Sequence, residues 1–283
     1  MKSLTEISVE RDTLATVTEL TTAFEGIASM HIAQIKDQVL NSQSFFGELW
    51  QIYRQIRVDQ KFHFGRTQGA KQGQKELIIL VTTEGSFSGD LDQRVVVAAT
   101  SFYNKDKHDI IVVGSHGASQ LAQSGIPYVR SFRLPVSDRY INVLPLANEL
   151  QNYKNTTVFY PSYVSLSRQE VRSIQMSAWV AERGEGVAES QDAISEASYI
   201  FEPSTFAVID HLERSMIVIM LGEIIMESKL AQYASRYRAM TAAKDKANDS
   251  FNQATLGFNR TKRLIKDERA KEILNGMRKA KAK

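Results

Sequence analysis

Leu77-Ile78-Ile79-Leu80-Val81 and Ile110-Ile111-Val112-Val113 are two short, unbroken apolar runs bounded by polar and turn-forming residues. A strand with one wet face alternates apolar with polar. An unbroken run has no wet face, so both segments read as strands covered on both sides, as in a parallel sheet. Between them, residues 90–103 carry apolar residues at helical spacing. Residues 115–124 read as a short helix, 126–132 as a third strand and 141–153 as a further helix. Residues 156–165 and 170–176 read as two strands paired in a hairpin. Strand alternating with helix predicts an open α/β sheet, Rossmann-like in topology, spanning residues 75–200.

Outward from this domain the period changes. Residues 1–62 read as one long helix, with no Pro and only Gly26 and Gly47 inside the periodic stretch. Ile7, Leu14, Val17, Phe24, Ala28, Ile35, Phe45, Leu49, Ile52 and Ile56 recur near heptad spacing, and Leu20 and Ile27 widen the stripe. Thr21 and His31 interrupt it. A narrow apolar stripe sustained over many turns is a coiled-coil seam. The Gly-rich stretch 65–75 reads as a connector, and the acidic, small-residue stretch 183–198 as a loop. From Pro203-Ser204 onward no further Pro appears, and residues 203–283 read as a second long helix. Its middle is rich in small residues, among them Ala231, Ala234, Ala243, Ala247 and Ala254, which let a partner helix approach closely. The predicted fold is therefore a long antiparallel coiled coil of the N- and C-terminal helices plus a Rossmann-like α/β domain.

Composition narrows the function. Hydrophobic residues make up 43% and charged residues 24%, which excludes wholesale disorder. The absence of Cys removes disulfides and thiolate chemistry together. The longest apolar cluster, 216–226, is interrupted by Gly222 and Glu223 and is too short to span a bilayer. Net charge is +3, but from Lys229 to Lys283 there are 15 Lys and Arg against 5 Asp and Glu. A basic C-terminal fifth implies an acidic partner there or a solvated basic face.

Chemistry-bearing motifs are scarce. Gly85-Ser86-Phe87-Ser88-Gly89 follows the first strand but lacks the Lys-Ser/Thr of a phosphate loop and the spacing of a dinucleotide fingerprint. Gly114-Ser115-His116-Gly117 follows the second strand, where a helix N-terminus could cradle an anion, but it reads better as a turn with Ser115 as helix cap. His31, His63, His108, His116 and His211 are scattered without metal-ligand spacing. Glu182 and Glu185 read as solvated carboxylates. Phe102, Tyr103, Phe159 and Tyr160 read as core, so nucleic-acid binding is not expected. No catalytic, cofactor-binding or metal residue is expected.

Three segments carry a resemblance to a family. Ser3-Leu4-Thr5-Glu6-Ile7, with Leu20-Thr21-Thr22-Ala23-Phe24-Glu25, resembles the S-L-x-E-I and I-T-K-A-M-E of the gamma subunit of F-type ATP synthases. Thr82–Asp92 is similar to that family's T-S-D-R-G-L-C-G-G-L-N. Tyr199–Ser204, Glu227-Ser228-Lys229, Ala234–Met240 and Ala247-Asn248 resemble its last helix.

The resemblance implies a non-catalytic rotor. Its helices would turn inside a hexamer of alpha and beta subunits, with the α/β domain on the membrane c-ring and the epsilon subunit beside it. Rotation driven by ion flow would couple to ATP synthesis or hydrolysis in the beta subunits. Location would be peripheral, on the cytoplasmic or equivalent energy-coupling membrane face, without direct insertion. By the same alignment Phe24, Lys262, Arg263, Asp267 and Arg269 would contact the stator. Departures include Glu19 and Thr22 at family Lys positions and Phe24 at a Met position. Arg278, Lys279, Lys281 and Lys283 stand where the family has a small apolar tip. They would pass beyond the collar into water or meet an acidic lining, water being favoured. A static coiled-coil adaptor and, further off, a small-molecule enzyme are the alternative readings.

Overall fold

The computed structural model describes residues 3–56, 75–85, 89–134, 141–153, 155–176 and 202–281. Most of the expected connector, the loop 183–198, Glu182 with Glu185, residues 86–88 and Tyr199–Phe201 lie outside them. Among the described residues, ten elements follow in chain order. They are α1 (Leu4–Ile56), β1 (Glu76–Val81), α2 (Leu91–Phe102), β2 (His108–Val113), α3 (Ser115–Gln123) and β3 (Arg130–Phe132). Then come α4 (Leu144–Leu150), β4 (Thr156–Tyr163), β5 (Gln169–Gln175) and α5 (Thr205–Lys281).

The five strands form one sheet in the order β3-β2-β1-β4-β5. β1 is parallel to β2 and β4, and β2 to β3. β5 closes an antiparallel hairpin with β4. Period-two alternation explains the unbroken apolar runs. Leu77, Ile79, Val81, Ile111 and Val113 enter one core with Trp50 and Tyr53 of α1 and Met216, Met220 and Ile224 of α5. Ile78, Leu80, Ile110 and Val112 enter a second core with Val95, Val96 and Ala99 of α2 and Leu121 of α3.

Several boundaries differ from expectation. β3 is three residues long, because Ile126 gives its N–H back to the Leu121 carbonyl in the turn that closes α3, and only from Val129, whose N–H reaches the Ile110 carbonyl, does the chain meet β2. α4 is a seven-residue helix rather than thirteen. Phe159 and Tyr160 are buried, but Phe102 is about half exposed and stacks on His108. Ser115 is not the cap of α3. Gly114 holds that position at φ +103°, and a Cβ there would lie 2.2 Å from the Thr82 carbonyl oxygen.

The long helices start as their sequences dictate. Ser3 and Glu6 form a reciprocal capping box, the Ser3 N–H to Glu6 Oε2 at 2.8 Å and the Glu6 N–H to Ser3 Oγ at 3.2 Å. Ser204 caps α5 by accepting from the Ala207 N–H at 3.2 Å. The chain divides into two compact units, each using part of both helices. The helical unit is Met1–Ile27 with Tyr237–Lys283, and the sheet unit is Ala28–Arg236. In the helical unit Arg11 stacks on Phe258, while Glu25 meets Lys244. Fourteen residues up α1 is thus fourteen residues down α5, an antiparallel register. In the sheet unit His31 stacks on Tyr233 and Tyr53 bonds Glu213, again antiparallel.

Candidate functional site

The helical unit turns inward only part of the α1 stripe that the apolar pattern predicts: Ile7 and Leu14 face in, and Val17 and Phe24 do not. The more buried positions are Ile7, Leu14 and Thr21, with Arg11, Thr18 and Glu25 between them, a strict heptad. Thr21 is buried at 8% exposure. Val17, Leu20, Phe24 and Ile27, expected in the seam, are 40%, 53%, 41% and 48% exposed. They lie at i, i+3, i+7 and i+10, one ridge of the helix.

Polar residues hold the seam because their needs are met inside it. The Thr21 hydroxyl donates to the Val17 carbonyl at 2.9 Å or the Thr18 carbonyl at 3.0 Å, and the Thr18 hydroxyl donates to Leu14 at 3.0 Å. Glu25 accepts from Thr241 Oγ1 at 2.7 Å and from Lys244 Nζ at 2.5 Å. Those two bonds, Lys244 first and Thr241 second, hold the Glu25 carboxyl below the ordinary carboxylate range. The same bond raises Lys244 above the ordinary lysine value. On α5 the buried positions of this unit include Met240 and Ala247.

The other expected contact residues lie on α5. Lys262, Arg263, Asp267 and Arg269 are all exposed. Lys262 Nζ sits 5.8 Å from the Phe258 ring centre, and Arg11 sits 4.9 Å from it. Leu256, Leu264, Ile273, Leu274 and Met277 are exposed beside these charges. Phe24 neighbours Glu25, which faces Lys244, so Phe24 and Lys262 are separated by about eighteen residues of helix, ~27 Å. The structure spreads the expected residues along a surface and does not gather them into a pocket. Such exposed apolar side chains among charges suit a protein partner rather than a small ligand.

In the sheet unit, the turn after β2 does not cradle an anion. The His116 N–H donates to the Thr83 carbonyl at 3.1 Å and the Gly117 N–H to Thr82 Oγ1 at 2.9 Å. Asp92 accepts from the Thr83 N–H at 3.1 Å and from the Thr83 hydroxyl, and lies 2.9 Å from His116 Nδ1. This polar knot fastens the start of α3 to the end of β1. Sequence inspection missed it, and also the Glu25 knot, since each joins residues whose separation carries no local pattern. Among the described residues, no group of three or more His, Asp or Glu is placed to hold a metal, and no helix is long and apolar enough to cross a membrane.

A family model described as ATP synthase matches residues 3–277. The ATP synthase gamma chain of Mycoplasmoides gallisepticum is 23% identical over 290 residues, covering 98% of this chain and 99% of that one. Among solved structures, a chain of the rotor of Euglena gracilis mitochondrial ATP synthase superposes with a TM-score of 0.59 at 14% identity. It covers 92% of this chain and 98% of its own. A chain of the OSCP/F1/c-ring assembly from the same organism gives 0.61 at 15% identity, covering 96% and 93%. Both likenesses concern the fold, two long helices and a parallel-dominated sheet. The match runs through both units and both helices, and on it the chain belongs to the ATP synthase family, as a divergent gamma chain.

Proposed function

We propose that this chain is the central rotor shaft of an F-type ATP synthase. It couples rotation of a membrane c-ring, driven by ion flow, to ATP synthesis or hydrolysis at the beta-subunit sites. The observation that carries this reading is the helical unit. Its seam sets Thr18, Thr21 and Glu25 among Ile7, Leu14 and Met240, while Val17, Leu20, Phe24 and Ile27 stand about half exposed toward a surrounding partner. A free monomer gains little from such a ridge, whereas a shaft enclosed by alpha and beta subunits covers it.

In this reading residues 1–62 and 203–283 serve as shaft helices, and residues 75–200 meet the c-ring and the epsilon subunit. Phe24, Lys262, Arg263, Asp267 and Arg269 touch the stator. The chain itself performs no ATP chemistry and holds no cofactor. It is peripheral, held on the energy-coupling face of the membrane through its partners. Binding of nucleic acid plays no part.

Affinity purification of the tagged chain under mild detergent tests this. The expected result is co-recovery of alpha, beta, epsilon and c subunits with ATP turnover in the complex and none in the isolated chain. Recovery without those subunits, or robust turnover by the chain alone, would overturn the reading.

A further inference from the structure

Glu227 sits on α5 within the sheet unit. Its two carboxylate oxygens are held by two different hydroxyls of β4. Ser162 Oγ donates to Glu227 Oε1 at 2.5 Å, and Tyr160 Oη donates to Oε2 at 3.2 Å. Tyr160 and Ser162 are two residues apart, so both point from the same face of the strand. Each is buried, at 1% exposure. β4 is an interior strand, paired on one side with β1 and on the other with β5. Across that second pairing Arg172 lies opposite Tyr160 and also bonds its hydroxyl. Burial, reinforced by Glu227, pushes the Tyr160 phenol far up, so it stays a donor throughout the ordinary pH range.

The surrounding contact between α5 and the sheet is of another kind. Met216, Met220, Leu221 and Ile224 lie against Leu77, Ile79 and Val158. Apolar burial is non-directional, so a helix that rolls slightly on such a surface keeps most of it. Hydrogen bonds are directional and lapse beyond ~3.5 Å. A carboxylate stands roughly 6 Å from its helix axis, so a roll of about 15° moves it ~1.5 Å, enough to stretch past that limit a bond from which it recedes. The clamp therefore adds a directional restraint against a roll of α5 on β4 that the apolar packing opposes less.

We propose that Glu227, gripped by Tyr160 and Ser162, is the positioning residue that stops α5 from turning against the sheet when torque passes between them. This rests on the rotor reading. The load borne by the joint is greatest when the rotor works against an ion gradient and least when it turns freely.

The test uses the whole complex reconstituted in sealed vesicles, comparing the parent with Glu227→Gln, Tyr160→Phe and Ser162→Ala. In Glu227→Gln, ATP hydrolysis without a gradient should stay within about twofold of the parent. Gradient-driven synthesis and ATP-driven ion pumping should fall roughly tenfold, the scale of one lost charge-assisted hydrogen bond. Tyr160→Phe and Ser162→Ala should shift the same ratio by less. Paired spin labels on α5 and β4 of the full chain should show a broader distance distribution in Glu227→Gln. A structural role alone would lower hydrolysis and synthesis in equal proportion, and that result overturns the proposal, as does an unchanged ratio. If Glu227→Gln does not assemble, the ratio in Tyr160→Phe decides by the same criterion. A parent complex that neither pumps nor synthesises fails the rotor reading and takes the proposal with it. A coupled parent with equally coupled variants removes the proposal alone.

Discussion

In the sheet unit, Leu77, Ile79 and Ile111 are shut away from water completely. In the helical unit, Leu20, Phe24 and Ile27 are as apolar but stand roughly half in it. The first set lies in the core on one face of the sheet, and Ile78, Leu80 and Ile110 lie in the core on the other, so both faces are covered from within the unit. The second set flanks a seam of Thr18, Thr21 and Glu25, held by bonds to its own backbone and to Thr241 and Lys244. A half-exposed apolar ridge beside a seam with polar members suits a surface adapted to a partner, whereas a closed core suits a scaffold. The difference is one of where the chain spends its large side chains.

That contrast breaks most visibly through deletion of core volume. Leu77→Ala should destabilise the sheet unit by about 2–5 kcal/mol, from lost transfer energy plus an unfilled cavity. Leu20→Ala or Phe24→Ala should change the stability of the isolated chain by no more than about 0.5 kcal/mol, as expected for exposed sites. Denaturant unfolding of the full chain compares the two directly. A ridge substitution as costly as Leu77→Ala would mean that the ridge is internal packing.

The ridge should matter when partners are present. Leu20→Ser combined with Phe24→Ser should cut recovery of the assembled complex by roughly tenfold, the effect of removing an apolar anchor from an interface. Thermal unfolding of the isolated double variant should stay close to that of the parent. Unchanged recovery would place the partner surface elsewhere on the unit.

The Glu25–Lys244 pair gives a smaller effect that depends on pH. Glu25 is depressed, so its contribution is present above the ordinary carboxylate value and is lost as pH falls through its lower folded value. Lys244 is raised, so its contribution is present below the ordinary lysine value and is lost as pH rises through its higher folded value. The helix pair should therefore be firmest between those limits. Glu25→Gln should lower its melting temperature in that window and flatten both flanks, read by circular dichroism from acid to alkaline pH. A variant with the parent's full pH profile would show that the pair contributes nothing.

The smallest expected effect is at the basic tip. Removing residues 278–283 should leave complex recovery and ATP turnover unchanged at both low and high salt, as for a solvated tail. A loss that shrinks at high salt would instead reveal an acidic lining, since screening already removes that attraction.

The two units also differ in how much of them was legible beforehand. The sheet was readable because burial on both faces leaves an unbroken apolar run, a local signal, and β1, β2, β4 and β5 fall close to their expected places. β3 and α4 came out shorter because loop hydrogen bonds, not apolar patterning, end them. In α1 the helix was readable and its inward face only in part: Ile7, Leu14, Ala28 and Ile35 turn in as expected. Val17, Leu20, Phe24 and Ile27 form the more apolar stripe, yet Thr21 and Glu25 face the partner helix. Hydrophobic periodicity assumes that the apolar face is covered by the same chain, and a surface made for another molecule violates that assumption. The expected stator residues were placed on the two helices by the same local pattern, and the distance between Phe24 and the group from Lys262 onward came only from the antiparallel register.

The sequence by itself determined the elements and their order, because capping residues, strand-length apolar runs and the scarcity of Pro act within a few residues of one another. It also determined the family, through motifs spread over the whole chain. Tertiary structure alone decided that Thr18, Thr21 and Glu25, rather than Val17, Phe24 and Ile27, complete the inward face of α1, and which hydroxyls grip Glu227. It alone also set Lys244 against Glu25 across more than two hundred residues. Those choices depend on a helix register and on side-chain reach across space. No local propensity encodes either one, because the free energy of a polar pair exists only once both partners have been brought together and their water removed.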